Sequence, residues 1–397
     1  MLSKNIEVAV DAATFPSRKL PQALRTPPNL RMDIAKALFM LGELTIPNGM
    51  SRASPARIWA WIRYFSAVAT TDDLRITEPF VELDPHQKGI LSDDFGVALS
   101  MCWLFDRLNG FSEVVDGRRF VLQFKSHLQR QKRNTPKVGA GKCPDFVIRD
   151  SAGKWHTIEC KGTQSSSGYR NQQMKIARVQ KKCIDIIDSL KGFSLAGGVF
   201  LAPETHADER SNILIVDPEV EPYVTIEPST LTEAKRITRR LAVSRALGLA
   251  GAGRLSDELS LPPDMGDYAE LLTFGERARL SRPRHVRIHD AAEEIRLGIG
   301  SRVESGNVAY RGRSVDIEIP GDEFSRNTGG CKRVRIQQGV SEEFVDALLS
   351  HPGDIIDNID GEADRFLTKT TIDLKSTEGE TLLRQGTFYF ARMEFLS

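Results

Sequence analysis

At 397 residues the chain is long for one domain, and 40% hydrophobic against 27% charged residues gives enough apolar material for a sizeable core, which excludes a disordered or fibrous class. A formal net charge of +1 excludes a polycation, so any nucleic acid must be met through local basic patches. Five cysteines, at 102, 143, 160, 183 and 331, show no CxxC spacing, which speaks against a structural zinc site or disulfide framework and for a reducing compartment.

The N-terminus, MLSKNIEVAVDAATF, lacks an apolar signal core, and no run reaches the roughly 18 apolar residues of a membrane span; a soluble, cytoplasmic chain with no membrane partner is expected. Residues 1–87 read as a mainly helical region broken early by Pro16, Pro21, Pro27 and Pro28, with helical periodicity over 32–44 and 55–70. Trp59, Trp61 and Tyr64 read as core aromatics or, alternatively, as a base-stacking surface. Ser92 is a good N-cap for a buried helix running to about residue 108, with Asp93 and Asp94 in its first turn. Strands are predicted over 118–124, 145–149 and 155–161, the last two joined by the turn DSAGK as a hairpin. A helix over about 171–191 and strands over 195–201 and 213–216 complete an α-β-β-β-α-β-β order within 88–225. From 226 a separate α+β region is expected: a helix over 229–249 ended by GLAGAG, then short strands around a helix at 341–349.

The segment CPDFVIRDSAGKWHTIECKG, 143–162, carries the chemistry. Residues i and i+2 of a strand share a face, so Glu159 and Lys161 project together while Ile158 and Cys160 face the core. A hairpin partner brings Asp145 beside Glu159. Two carboxylates and an ammonium on one sheet face are costly unless something uses them. The carboxylates are hard oxygen ligands suited to Mg2+, with Mn2+ as substitute, and the Cys160 backbone carbonyl is a further candidate ligand. Lys161 is placed to orient an attacking water or to stabilise charge on a phosphate. His156 falls on the core-facing side and reads as a structural histidine.

Pro144-Asp145, thirteen intervening residues, and Glu159-Cys160-Lys161 resemble the signature of the PD-(D/E)XK nuclease superfamily, which includes restriction endonucleases, Holliday-junction resolvases and recombination exonucleases. The resemblance covers residues 88–220. It implies a restriction-endonuclease-like α/β core, a mixed sheet flanked by helices in α-β-β-β-α-β order. It also implies Asp145 and Glu159 as metal ligands and Lys161 as the catalytic lysine. Many members carry a further acidic ligand on the preceding helix; Asp94 is the first candidate and Asp93 the second, beside the plain reading that both favour the helix dipole. Many also carry a glutamine on the following helix, for which Gln172, Gln173 and Gln180 qualify and Gln173 is preferred. A rival set, Asp373-Leu374-Lys375 with Asp354, lacks the Pro-Asp.

Residues 121–144 hold six basic side chains and no acidic one, namely Lys125, Arg130, Lys132, Arg133, Lys137 and Lys142, and read as a phosphate-contacting loop beside Asp145. The polar connection GTQSSSGYRNQQ follows Lys161, and Arg170, Lys175, Arg178, Lys181 and Lys182 extend the basic character. A third patch, RARLSRPRHVR at 277–287, is a DNA or partner surface or a solvated one; its His285 and His289 are four apart, but no helix is evident there. The expected function is metal-dependent hydrolysis of DNA phosphodiesters, as an endonuclease of a restriction or phage-defence system. The alternatives are an exonuclease or junction resolvase, and a non-catalytic DNA-binding or assembly subunit. A protein partner or a second copy would meet the C-terminal region.

Overall fold

Alternating residues of SKNIEVAV turn Ile6 and Val8 inward, and this stretch forms a strand, β1 (Ser3–Val10), where the sequence led us to expect a helical lead-in. The chain is seen here as a computed structural model that describes residues 3–45, 64–124, 143–180, 184–186, 189–206, 208–217, 224–262, 272–298, 300–318, 330–353, 365, 372–377 and 379–396. Trp59, Trp61, Lys181, Lys182, Asp354 and the basic set Lys125, Arg130, Lys132, Arg133, Lys137 and Lys142 lie outside the described residues.

β1 pairs with β2 (Asn29–Asp33), and Asp33 caps helix α1 (Ile34–Leu44) by accepting from the Lys36 N–H at 3.0 Å. Helix α2 (Pro85–Arg107) starts seven residues before the expected Ser92, because Asp84 accepts from the His86 and Gln87 N–H groups and Pro85 occupies the first turn. Asp93 and Asp94 therefore lie inside the helix, and the dipole reading of them fails. β3 (Phe111–Asp116) comes next. The predicted strand over 118–124 is instead helix α3 (Gly117–Phe124): Phe120 and Phe124, one turn apart, stack at 5.4 Å, and both are fully buried. The hairpin of β4 (Phe146–Asp150) and β5 (Trp155–Thr163) is as expected. Helix α4 (Ser167–Gln180), β6 (Ile184–Ile186), β7 (Lys191–Phe200), β8 (Asn212–Val216) and β9 (Val224–Ile226) follow, and β6 and β9 form a small parallel pair.

The first sheet is mixed, in the order β2-β1-β8-β7-β5-β4-β3, with β1–β8 and β5–β7 parallel and the other pairs antiparallel. α2 covers one face, packing Leu91, Phe95 and Leu99 into a cluster with Ile158, Cys160, Leu195 and Val199. Met174 and Ala177 of α4 cover the other face over Ala196 and Val216. The chain is thus an α/β protein with a mixed sheet flanked by helices.

Helices α5 (Leu231–Ala250), α6 (Gly253–Ser260), α7 (Phe274–Leu280) and α8 (Arg284–Gly298) precede a second sheet. His285 and His289 do sit on a helix, contrary to expectation, and both are solvent-exposed. The second sheet is wholly antiparallel, in the order β10 (Ser301–Ser305), β11 (Val308–Glu318), β12 (Arg333–Ser341), β15 (Tyr389–Leu396), β14 (Glu380–Gln385), β13 (Ile372–Thr377). Ser341 caps α9 (Glu342–Ser350). α5 touches β3 of the first sheet and β12 of the second, and one buried apolar cluster runs from Ile6 to Met393. Ionic ties reinforce it. Glu113 of β3, with no exposed surface, is forked by Arg149 at 2.5 and 2.7 Å and met by Arg239 of α5 at 3.1 Å. Removing a partner from a buried pair of this kind costs about 3–5 kcal/mol. No described helix is long and apolar enough to cross a membrane.

Candidate active site

The turn DSAGK closes the hairpin so that Phe146 lies opposite Ile158; Asp145, one residue before β4, then falls opposite Glu159. The two acids are cross-tied. The Asp145 N–H donates to Glu159 Oε2 at 3.1 Å, and the Cys160 N–H donates to Asp145 Oδ2 at 2.7 Å. Lys161 Nζ sits 2.6 Å from Glu159 Oε1. That oxygen has no hydrogen bond of good geometry, so the contact is an ion pair rather than a directed bond. Glu159 is fully buried, whereas the Lys161 side chain keeps 22% of its surface. The three residues chosen from the sequence are therefore brought together.

Past Glu159, β5 outruns β4, so its edge on that side has no strand partner. The N–H and C=O of one strand residue point to the same edge. The Cys160 N–H is taken by Asp145 and the Gly162 N–H by the carboxylate of Asp93, and the Cys160 carbonyl points the same way. Two glycines let α2 come this close. A Cβ on Gly162 would lie 1.7 Å from the Ser92 carbonyl oxygen, and one on Gly96 would lie 2.6 Å from the Lys161 backbone. A third glycine fixes Pro144-Asp145: the Gly117 N–H donates to the Asp145 carbonyl at 3.0 Å, and a Cβ there would sit 1.9 Å from the Pro144 oxygen.

Burial raises the carboxyl of Glu159 to about 8, with the Asp145 charge adding and Lys161 opposing. Burial likewise raises Asp145 to about 6, with the Cys160 N–H and Lys161 opposing and Asp116 and Asp93 adding. The two titrate as a pair. Burial works against the Lys161 ammonium, but the Glu159 and Asp145 charges outweigh it and hold its pKa above the ordinary lysine value. Asp93 is raised by burial, against Lys161 and the Gly162 N–H. Asp116 is raised by burial too; Asp93 and Asp116 both keep solvent-exposed surface, and both lie close enough to Asp145 for their charges to act on it.

Of the two aspartates of α2, Asp93 accepts from the Gly162 N–H beside Lys161, whereas the carboxylate of the preferred Asp94 accepts from the Tyr64 hydroxyl. Tyr64 is buried, which settles it as a core aromatic. Gln173 lies on the half-buried side of α4 with its Oε1 buried and unbonded. The Arg170 stem packs on Gly198, which pairs with Lys161 across β5–β7, and its guanidinium binds Asn212 and Asn171. Lys175 is exposed. His156 is structural as expected: its Nδ1 accepts from the Phe193 N–H at 3.0 Å, so Nε2 donates to Asp150 at 3.1 Å. In the rival set, Lys375 and Asp373 form an exposed surface pair. The 277–287 patch is largely consumed by ion pairs: Arg279 with Asp257, Arg282 with Asp290, and Arg287 with Glu258. Asp116 and the three glycines were missed. Asp116 was hidden by the misplaced strand, and nothing local marks the glycines.

The donor set near Lys161 is all hard oxygen, with the Cys160 thiol on the other face and His156 engaged elsewhere, and the buried Glu159 Oε1 is met only by the Lys161 ammonium. This chemistry fits Mg2+ or Mn2+. Among the described residues no group of three or more His, Cys, Asp or Glu side chains is arranged to hold a metal ion alone. A small pocket of about 20 Å3, room for about one water, is lined by Glu43, Arg245 and Tyr389 among others and includes none of these acids. No family model matches the chain, and neither a curated protein nor a solved structure matches it.

Proposed function

We propose that this chain is a divalent-metal-dependent deoxyribonuclease of the PD-(D/E)XK type, acting as an endonuclease in a restriction or phage-defence setting. The observation that carries the reading is Glu159: a carboxylate without solvent access, crossed with Asp145 through two backbone N–H groups and ion-paired to Lys161. Nothing in folding calls for this arrangement, since a buried acid raised this far above its ordinary pKa weakens the metal-free fold. The element order α2-β3-α3-β4-β5-α4-β6-β7, with β7 parallel to β5, supports the same assignment once the short α3 and β6 are taken as insertions in an α-β-β-β-α-β core.

Asp145 and Glu159 would hold the ion, and the Cys160 carbonyl, on the same unpaired edge of β5, would join them. A bound Mg2+ or Mn2+ acidifies a water and neutralises charge on the phosphate. Lys161 Nζ, kept protonated by its acidic neighbours, stands at the solvent side of Glu159 to hydrogen-bond the attacking water or a non-bridging phosphate oxygen. Asp93 sits within reach of the Lys161 charge and helps to keep it oriented. Two carboxylates and a carbonyl would hold the ion while leaving it accessible to water and to the phosphate, as a centre that must admit substrate requires. The expected outcome is nicking of plasmid DNA in Mg2+ or Mn2+ and none in excess EDTA. Unchanged cleavage under chelation would rule the reading out.

A further inference from the structure

Helix α3 begins at the candidate centre, since Gly117 is bonded to the Asp145 carbonyl. Its first turn carries two arginines, Arg118 and Arg119, where the helix dipole favours acids. Asp116 offsets part of that cost by accepting from the Arg119 N–H at 2.7 Å. In this structure one carboxylate holds both guanidinium groups: Glu276 of α7, with Oε1 2.6 Å from Arg119 Nη1 and Oε2 3.5 Å from Arg118 Nη2. Glu276 is almost completely buried, whereas the Arg118 side chain is 37% and the Arg119 side chain 13% exposed, and the charges of both arginines act on Asp116.

We propose that Arg118 and Arg119 are a clamp for a phosphate of the nucleic-acid backbone next to the cleaved bond, and that Glu276 stands in for that phosphate in the free protein. This rests on the nuclease reading above. A carboxylate and a phosphodiester offer a guanidinium the same pair of oxygens, so the exchange needs only side-chain rotation. Glu276 is not stranded when the arginines leave. Its Oε2 also accepts the Thr273 N–H at 2.8 Å in a capping box, and it lies in the first turn of α7, where a negative charge is favoured. Most neighbouring arginines have other duties: Arg279, Arg282 and Arg287 are paired with Asp257, Asp290 and Glu258. A tie that were purely structural would lose stability and binding together, whichever partner is changed. A clamp with a stand-in responds in opposite directions to its two halves.

The test measures binding of labelled single- and double-stranded oligonucleotides, with Ca2+ in place of Mg2+, across a salt series. Glu276→Gln keeps the capping box and removes the competing charge, and should tighten binding by about three- to tenfold. The double variant Arg118→Gln/Arg119→Gln should weaken it by about tenfold or more and flatten the log–log salt dependence by about two units. A wild type that binds and cuts, with Glu276→Gln binding no tighter, overturns the clamp and leaves the nuclease reading standing. A wild type that binds no nucleic acid overturns both. Should Glu276→Gln fail to fold, arginine-selective labelling of the wild type decides: oligonucleotide should protect Arg118 and Arg119, and labelling that it leaves unchanged overturns the proposal.

Discussion

Glu159 holds its proton more tightly in the fold than in the unfolded chain, because burial and the Asp145 charge penalise the ionised form. The stability linked to that proton is complete below the ordinary glutamate pKa and is lost as pH rises to about 8. Glu159→Gln should therefore melt at a higher temperature than the wild type in metal-free buffer above about pH 8 and converge with it near pH 5, roughly the ordinary glutamate range. Added Mg2+ should stabilise the wild type and not the variant. Thermal melts across pH, with and without Mg2+, check both statements. Asp93 and Asp94 provide a second contrast. Asp93→Asn should lower cleavage by about a hundredfold and Asp94→Asn by about tenfold or less, read as single-turnover rates. Asp145, Glu159 and Lys161 were legible because a short turn fixes the hairpin register and alternation does the rest. The choice between Asp93 and Asp94 was not legible. It depends on a helix start at Asp84-Pro85 and on a tyrosine thirty residues upstream.

The packing of α2 across β5 decides whether Asp93 reaches the centre. Gly162→Ala would drive a methyl into the Ser92 carbonyl, forcing the helix away at a cost of about 1–3 kcal/mol or more. Cleavage should fall with it. Gly89, also within α2 but with nothing within 4 Å of an added Cβ, is the control: Gly89→Ala should be neutral or stabilise by about 0.5–1 kcal/mol. Denaturant melts and cleavage rates together separate the two; equal behaviour would show that the close approach is immaterial. At this scale the sequence misled at 118–124, because RRFVLQF has strand composition but packs as a helix between β3 and α5. The long apolar helix was legible in type, though not in its start.

Over the whole molecule, the buried cluster from Ile6 to Met393 joins what sequence composition divided at residues 87 and 226. Buried Glu43 of α1 depends on Gln338 at 2.6 Å and Tyr389 at 2.7 Å from the second sheet, and Glu113 on Arg239 of α5. A chain ending at residue 225 would expose this surface, strand the Glu43 carboxylate and leave Glu113 with Arg149 but without Arg239; it should lack a cooperative unfolding transition, and a sharp transition would show that the regions are independent. Such long-range closure leaves no local trace in the sequence, which is why strand patterns near the C-terminus were legible and their attachment was not. The central claim is that Asp145, Glu159 and Lys161 form a metal-dependent hydrolytic centre. Its most direct measurement is single-turnover cleavage of bound DNA in Mg2+ by the wild type, Lys161→Ala and Asp373→Ala. The account predicts that Lys161→Ala binds DNA but does not cut, while Asp373→Ala cuts as the wild type does. Wild-type cutting by Lys161→Ala would contradict it.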